Sequence, residues 1–440
     1  MTQPGVTPRL LNVEQYKRRI DPNQPVANLF RNAIDLNRFS NAVSRQIVRD
    51  YNEIILSAVA DLKAIDIGAA TAGAGIVSPQ SYQAQRLRVI LAQLKESLDS
   101  WAGRSTTYVT GELQGLAELQ TEFVTEQLRL AIEGGQVGAR QIQPSVVAQQ
   151  AVRTVEVAPN FAATVATIDP TDINFTLPGT GAFNLTAGQG AAITLPNGQV
   201  VSKAFRGLAE SQAQRFNAVV RTGLLAGEPT PQIARRLVGN LDFGQLAKTA
   251  RQQALAGGEL TKMADHQVLT IVRTSIQQVA NAASDNVYNA NQDVTQKYRY
   301  VATLDGRTSA ICRSLDGKEF KYGDGPMPPV HFNCRSTIVP VIDYRGLGLR
   351  PPEEVLGKGS LFFKRAAEGG QVKASTTYGE WLRSQSQAYQ EEVLGKSRAG
   401  YFDKLASKYG PQQALVKLVR EDGSEVPLKI LKERYGSTNG

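Results

Sequence analysis

A run of glycine and proline residues constrains the fold of this chain more firmly than any other stretch. Residues 323–329 read GDGPMPP, which cannot form a helix and cannot donate a full ladder of strand hydrogen bonds. The run must therefore be a loop. It brings His331 and Cys334 to one place, and the sequence STIVPVI at 336–342 then predicts a strand.

The sequence before this loop predicts a small β-containing module over residues 298–343. Residues 298–304 read YRYVATL, and their alternation is typical of a half-buried strand. Residues 318–322, KEFKY, alternate in the same way. The pairs Asp305-Gly306 and Asp316-Gly317 predict turns between these segments.

The module holds both cysteines of the chain, Cys312 and Cys334, and one of its two histidines, His331. Two sulfurs and an imidazole suit Zn²⁺, which takes four ligands, and Asp305 is the nearest candidate for the fourth. The spacing Cys-x18-His-x2-Cys lacks the paired Cys-x-x-Cys of common zinc modules.

Two other states of the cysteines stay open at this point. A disulfide between Cys312 and Cys334 is disfavoured by synthesis in the cytoplasm but permitted in an extracellular particle. Alternatively, both are buried thiols beside a hydrogen-bonded His331. A nucleophilic Cys–His site would need a carboxylate to orient the histidine. None is evident in the sequence, so no catalytic residue is expected.

Most of the remaining sequence predicts helices, because apolar residues recur at spacings of three and four. Helices are expected over 26–64, 79–101, 106–132, 139–165, 202–226, 231–239, 243–256 and 261–291. Residues 169–201 are rich in glycine and threonine, and Pro196-Asn197-Gly198 predicts a hairpin turn within them. The fold class expected is α+β and mostly α-helical.

The pattern divides the chain into six consecutive segments. They are an extended arm (1–25), a helical domain (26–165), a β-hairpin or loop insertion (166–201), a helical segment (202–297), the Cys–His module (298–343) and a C-terminal helical segment with its tail (344–440). Within the tail, LVKLV and VPLKIL are expected to form a hairpin across Glu421–Ser424.

The charge of the chain permits contact with nucleic acid without requiring it. Forty-nine basic and 40 acidic residues give a net charge of +9. The candidate phosphate contacts are Arg235, Arg236, Lys297, Arg299, Arg313 and Arg335. No apolar run approaches the roughly 18–20 residues of a bilayer span, and the N-terminal residues do not read as a secretory signal.

Two motifs in the module resemble the head morphogenesis domain of tailed bacteriophages, the Mu F-like minor head proteins. They are TLDGRTS at 303–309, followed by Cys312, and PPVHFNCRS at 328–336. Upstream, Val272-Arg273-Thr274 also fits, although serine follows where the family usually has glutamate. Downstream, TTYGEWL at 376–382 resembles the C-terminal helical segment of the family, so the resemblance covers roughly residues 205–410.

This resemblance implies a structural protein of the phage head that associates with the portal and with capsid or scaffolding protein. It implies a location in the virion near the portal vertex, with a role in genome packaging or ejection in some relatives. The residues expected to hold the module together are Asp305, Arg307, Thr308, Cys312, His331, Cys334 and Arg335, with Arg273 supporting the module from the preceding helix.

Two other function classes remain as alternatives. A DNA-binding adaptor would use the Cys–His module as a zinc knuckle. A metal-dependent hydrolase or nuclease would need a cluster of carboxylates and histidines. Two histidines in the whole chain argue against the second class.

Overall fold

A computed structural model of the protein describes residues 25–65, 82–136, 152–155, 165–168, 174–177, 180–184, 193–226, 228–247, 256–351 and 364–437. The described residues are mostly helical with small antiparallel sheets, which confirms the α+β, mainly α-helical class. The arm predicted for 1–25 lies outside the described residues apart from Pro25, as does the break at 67–79.

The helices of the described residues are α1 (Pro25–Lys63), α2 (Tyr82–Gln136), α3 (Val201–Leu225), α4 (Thr230–Val238), α5 (Glu259–Ala290), α6 (Ala310–Leu315), α7 (Tyr378–Arg383), α8 (Gln387–Leu394), α9 (Lys396–Tyr409), α10 (Pro411–Lys417) and α11 (Leu428–Tyr435). A short 3-10 helix spans Phe243–Ala247. Within the part of the chain that the structure describes, no helix has the length and apolar content needed to cross a bilayer.

The strands are β1 (Val152–Val155), β2 (Val165–Ile168), β3 (Asn174–Leu177), β4 (Thr180–Asn184), β5 (Thr295–Val301), β6 (Glu319–Lys321), β7 (Thr337–Ile342), β8 (Lys364–Ala367) and β9 (Gly370–Lys373). The sheet at the motif has the order β6-β5-β7, with β5 antiparallel to both neighbours. Strands β1 and β2, β3 and β4, and β8 and β9 form antiparallel pairs.

The chain divides into two compact units, each made of segments that are distant in sequence. The helical unit contains Arg38–Gln114 and Gly190–Ser275. The motif unit contains Met1–Asn37, Gly115–Gln189 and Ile276–Gly440. Three of the boundaries fall inside α1, α2 and α5, where the helical periodicity of the sequence continues without a signal that a unit ends.

Trp101 of α2 lies at the centre of the helical unit and is almost fully buried. Its ring centroid is 5.4 Å from that of Tyr51 and 6.0 Å from that of Phe205, the latter in an edge-to-face arrangement. The indole N–H donates to the carbonyl oxygen of Ile47 over 3.0 Å. The Tyr51 hydroxyl donates to Gln212 Oε1, so the polar ends of both rings are satisfied inside the core.

Arg273 belongs to this helical unit. Its Nη2 donates to Oδ1 of Asn41 on α1 over 3.1 Å. This hydrogen bond joins α5 to α1, and the expectation that Arg273 supports the Cys–His module stays a prediction. Sequence spacing does not reveal a partner more than 200 positions away.

Helix α2 corrects the break predicted at Gly103, because it runs without interruption from Tyr82 to Gln136. Gly103, Gly111 and Gly115 lie on its exposed side, with open space where a side chain would begin. A glycine inside a helix costs only about 1 kcal/mol relative to alanine. The buried apolar stripe continues past all three residues, and its packing outweighs that cost.

The helix predicted for 139–165 is also wrong at its described residues. Val152–Val155 pairs with Val165–Ile168 as β1 and β2. Both segments, VRTV and VATI, are rich in β-branched residues, which favour strands over helices. The turn predicted at 196–198 is confirmed, since Thr194 and Val200 form an antiparallel bridge and Gly198 has a φ of 78°.

The predicted C-terminal hairpin was wrong for both of its arms. Most of LVKLV lies in or next to α10, and most of VPLKIL lies in α11. One bridge, between Val419 and Glu425, closes the turn between the two helices. Short apolar runs do not distinguish strand from helix, and the prolines that begin α10 and precede α11 favour helix starts.

Candidate functional site: the Cys–His module

The Cys–His group joins one short helix to one loop. Cys312 lies in α6, and its N–H is bound by the side chain of Ser309, the N-cap of that helix. His331 and Cys334 lie in the loop between β6 and β7, as the glycine and proline run predicted. The loop turns back through Asn333, which adopts a φ of 58°.

The three ligand-type side chains converge within one small site. His331 Nε2 lies 3.2 Å from Cys312 Sγ, and the two sulfurs are 3.7 Å apart. All three candidate donor atoms lie within 4.8 Å of one another. Both cysteines are buried. They are free thiols, because a disulfide would need a sulfur separation of about 2.05 Å.

Hydrogen bonds surround this group on several sides. His331 Nε2 is 2.7 Å from Ser309 Oγ, and His331 Nδ1 is 2.7 Å from the carbonyl oxygen of Phe332. A carbonyl oxygen only accepts, so Nδ1 carries a proton and, in the neutral ring, Nε2 presents a lone pair toward Cys312. The buried Tyr300 hydroxyl lies 3.2 Å from Cys312 Sγ.

The two thiols differ in acidity because each acts on the other. Their hydrogen bond raises the pKa of Cys312 to about 12, and burial adds to the increase. The same bond lowers the pKa of Cys334 to about 6, and backbone N–H groups of Ser336 and Val330 lower it further. The hydrogen bond with Cys312 raises the pKa of His331.

Asp305 lies outside this group, which corrects its assignment as a fourth zinc ligand. Its carboxylate pairs with the guanidinium of Arg335, with Arg335 Nη2 2.8 Å from Oδ1. Thr308 Oγ1 and the Arg307 N–H also donate to Oδ1, each over 3.1 Å. Burial opposes ionisation of Asp305, but the hydrogen bond and charge of Arg335, aided by Thr308 and Arg307, outweigh it and lower the pKa.

The residues of the module that were expected to hold it together therefore form two neighbouring sets. One set is the Cys–His group, and the other is the Asp305 carboxylate with its donors. Arg307 is the weakest member of the second set, because its guanidinium is 3.8 Å from the carboxylate and its side chain is 86% exposed. Thr308 is buried and also donates to the Thr303 carbonyl over 2.6 Å, which closes the turn.

Two of the six basic residues predicted to contact phosphate are committed inside the protein. Arg313 is buried, and its Nη1 donates to the carbonyl oxygen of Val393 over 3.1 Å. Arg335 is held by Asp305. Burial counts against the assignment of Arg313 as a phosphate contact, whereas the assignment of the partly exposed Arg335 stays a prediction.

The other four basic residues lie nearer the surface. Arg235 and Lys297 are exposed. Arg236 pairs with Glu228 at 3.1 Å, and Arg299 pairs with Glu319 at 2.8 Å. Partly exposed pairs of this kind are weak, so both guanidinium groups stay available for exchange with another anion.

Sequence reasoning missed the most buried charge pair of the module, Asp316 and Arg365. Asp316 was interpreted only as a turn residue, and Arg365 was not singled out. The Asp316 carboxylate accepts from Arg365 Nη2 at 3.0 Å and from Nη1 at 3.1 Å. It also accepts from the backbone N–H groups of Ala302, at 2.7 Å, and Tyr378, at 2.6 Å. One carboxylate thus ties the end of β5 to β8 and to the start of α7.

The C-terminal helices pack directly against the motif. Tyr378, Trp381 and Leu382 of α7 join a buried cluster that also contains Leu304. The Tyr378 hydroxyl donates to the Asp305 carbonyl oxygen over 2.8 Å. Thr377 and Glu380 form a capping box at the start of α7, a signal that is visible in the sequence as Thr-x-x-Glu.

This arrangement limits what the module can do chemically. Cys312, His331 and Cys334 could hold one soft metal ion, since two sulfurs and an imidazole nitrogen converge there. Among the described residues, no other group of three or more Cys, His, Asp or Glu side chains has its ligand atoms this close together. The Asp305 carboxylate is occupied by Arg335 and does not orient His331.

Comparison with protein families gives one match. The model described as "Phage Mu protein F like protein" matches residues 214–339, which include α4, α5, β5, β6, the first half of β7 and both motifs. The matched range is shorter than the 205–410 expected from the motifs. No curated protein and no solved structure matches the chain. Residues 214–339 are thus similar to the Phage Mu protein F like family, which confirms the resemblance over this segment.

Proposed function

We propose that this chain is a structural minor head protein of a tailed bacteriophage, which associates with the portal and with capsid or scaffolding protein during head assembly. The observation that carries the proposal is the family match over residues 214–339. A role in genome packaging or ejection and a location in the virion near the portal vertex belong to the same proposal.

The way the motif residues are used supports interaction rather than catalysis. The Asp305 carboxylate pairs with Arg335, and the Asp316 carboxylate pairs with Arg365. A general base must reach a substrate proton, and a nucleophile needs a base with an orienting group. Here these carboxylates hold backbone and guanidinium groups of the same unit, so they serve the fold of the module.

Packaged DNA is a further partner in this proposal. The net charge of +9 and the exposed side chains of Arg235 and Lys297 support phosphate contacts. Arg313 and Arg335 bind acceptors within the protein. This counts against the alternative, a zinc-knuckle adaptor that would contact nucleic acid through the Cys–His module. We therefore favour the structural role over the adaptor.

Disruption of the gene in the phage that encodes the chain tests the proposal. We expect particles made without the chain to contain fewer DNA-filled heads or to lose infectivity, and a copy supplied in trans to restore both. Chemical cross-linking of assembling heads, followed by mass spectrometry, should connect the chain to portal or capsid protein. Heads that assemble, fill and infect normally without the chain would overturn the proposal.

Complementation with a variant separates the structural role from an enzymatic one. Arg307→Gln changes the most exposed residue of the Asp305 set, while the Arg335 pair is retained. We expect this variant to restore normal heads, because the buried pair maintains the fold. A folded, particle-incorporated Arg307→Gln chain that blocks head maturation would favour a chemical role for the exposed guanidinium.

A further inference from the structure

Two of the three donor–donor distances in the Cys–His group are close to those of a tetrahedral metal site, and the third is within 4.8 Å. Two sulfurs at the usual Zn–S distance of about 2.3 Å on a tetrahedral ion lie about 3.8 Å apart, and the two sulfurs here are 3.7 Å apart. A sulfur and an imidazole nitrogen on the same ion would lie about 3.5 Å apart. The observed distance from Cys312 Sγ to His331 Nε2 is 3.2 Å, so a small shift of the ring suffices.

The groups around these three donors orient them as ligands. The hydrogen bond from His331 Nδ1 to the Phe332 carbonyl leaves Nε2 facing the sulfurs, which is the usual outer-shell arrangement of a metal-bound histidine. Backbone N–H groups of Ser336 and Val330 donate to Cys334 Sγ and hold it beside Cys312 and His331. A thiolate is the form in which cysteine binds a metal.

The burial of the group makes an uncompensated thiolate costly. Cys334 has no exposed surface and Cys312 has 1%. A divalent cation with two thiolates and a neutral imidazole forms a neutral set, so the ion would remove this cost. Ser309 Oγ lies 2.7 Å from His331 Nε2 and the Tyr300 hydroxyl lies 3.2 Å from Cys312 Sγ, so an oxygen is available beside the three donors.

We infer that Cys312, His331 and Cys334 bind one Zn²⁺, which fastens helix α6 to the loop between β6 and β7. Binding releases the thiol protons to solvent and leaves two thiolates and a neutral imidazole on the ion. The site is independent of the head role proposed above, because it rests on these side chains alone.

The position of α6 gives the metal a consequence beyond the loop. Arg313, next to Cys312, donates to the Val393 carbonyl, and Gln412 Nε2 donates to the Arg313 carbonyl over 2.8 Å. Helix α6 is therefore in contact with the end of α8 and the start of α10. Removal of the metal should loosen α6 and the His331 loop first, and the C-terminal helices packed on them next.

Zinc content and X-ray absorption of the purified full chain test the inference. We expect about one zinc per chain and a sulfur shell at about 2.3 Å in the zinc absorption spectrum. Cobalt(II) in place of zinc should give a thiolate-to-cobalt charge-transfer band. A chain that stays zinc-free after exposure to zinc, or a spectrum with only nitrogen and oxygen neighbours, would overturn the inference. A mass lower by two hydrogens, which marks a disulfide, would overturn it as well.

The two histidines of the chain provide a matched pair of variants. His331→Gln should weaken zinc binding at least about tenfold. His266→Gln, the same change at an exposed position of α5, should leave it unchanged. Equal zinc affinity in both variants would contradict the assignment. If His331→Gln does not fold, the absorption spectrum of the unaltered chain decides the question.

Hydrogen exchange locates the effect of the metal within one sample. Chelation of the full chain should speed amide exchange in 310–315 and 331–334, while α3 in the helical unit serves as the internal reference. Exchange that rises equally in α3, or that does not change in either segment, would contradict a local fastening role.

Discussion

The buried pair of Asp316 and Arg365 gives the sharpest prediction about stability. Arg365 is 4% exposed and Asp316 is 0% exposed. Arg365→Met removes the positive charge and the two hydrogen bonds to the carboxylate, and it also removes the donors to the Thr376 and Ala302 carbonyls. Leaving one member of a buried ion pair alone typically costs about 3–5 kcal/mol.

The structure places the expected cost at the lower end of this range. Asp316 keeps two backbone donors, from Ala302 and Tyr378, which continue to stabilise its charge. We therefore expect the motif unit to lose about 3 kcal/mol, a factor of about 100 in its unfolding equilibrium. With a urea slope of about 1–3 kcal/mol per molar, the midpoint should fall by about 1–3 M.

The two tryptophans of the chain make the assay specific to one unit. Trp381 lies in the buried C-terminal cluster of the motif unit, and Trp101 lies in the helical unit. In a Trp101→Phe background, fluorescence during urea unfolding reports on the motif unit. The matched control is Arg299→Met, which removes an arginine from a partly exposed pair on the same sheet and should cost about 0–1 kcal/mol.

A second substitution checks that the loss of stability in Arg365→Met comes from the unpaired Asp316 carboxylate. Asp316→Asn combined with Arg365→Met removes both charges, so the double variant should be more stable than the sum of the two single losses predicts. If the midpoint of Arg365→Met shifts no more than that of Arg299→Met, the buried pair does not hold the unit together and the reasoning fails.

Three further predictions use the same fluorescence assay. Asp305→Asn should destabilise the motif unit at pH 7. Because the folded-state pKa of Asp305 is lowered, its contribution is fully present above about pH 4, the unfolded value, and the difference in stability from the unaltered chain should shrink as the pH falls below the folded-state pKa. Thr377→Ala removes the N-cap of α7 and should cost about 0.5–2 kcal/mol; no loss would mean that the capping box is not stabilising. Gly379→Ala would place a methyl carbon 2.5 Å from the Gln412 backbone nitrogen and should cost about 1–3 kcal/mol. Gly115→Ala, in the part of α2 that belongs to the motif unit, meets open space and should stabilise that unit by up to about 1 kcal/mol. Equal changes in stability for the two variants would contradict the close contact between Gly379 and the Gln412 backbone.

The sequence predicted those features that depend on local pattern. The three- and four-residue spacing of apolar side chains located α1, α3 and α5 to within a few residues. The glycine and proline run identified the loop that carries His331 and Cys334, because no regular element accepts that sequence. The convergence of the three metal-binding side chain types followed from the loop and the turn pairs around it.

Features that depend on distant partners could not be predicted in this way. Asp305 was assigned as a ligand because it is close in sequence to Cys312, but Arg335 reaches it from 30 positions away. Arg365 lies 49 positions from Asp316, and nothing in the adjacent residues indicates a buried guanidinium. Helix α2 continues past Gly103 because its buried stripe continues, which local glycine propensity does not reveal.

The composition of purified DNA-filled heads tests the proposed role most directly. Quantitative mass spectrometry of heads from the phage that encodes this chain should find it in a fixed, low ratio to the major capsid protein. Asymmetric reconstruction of the same heads should place its density at the portal vertex. Abundant chain in the lysate with none in washed, DNA-filled heads would contradict the account.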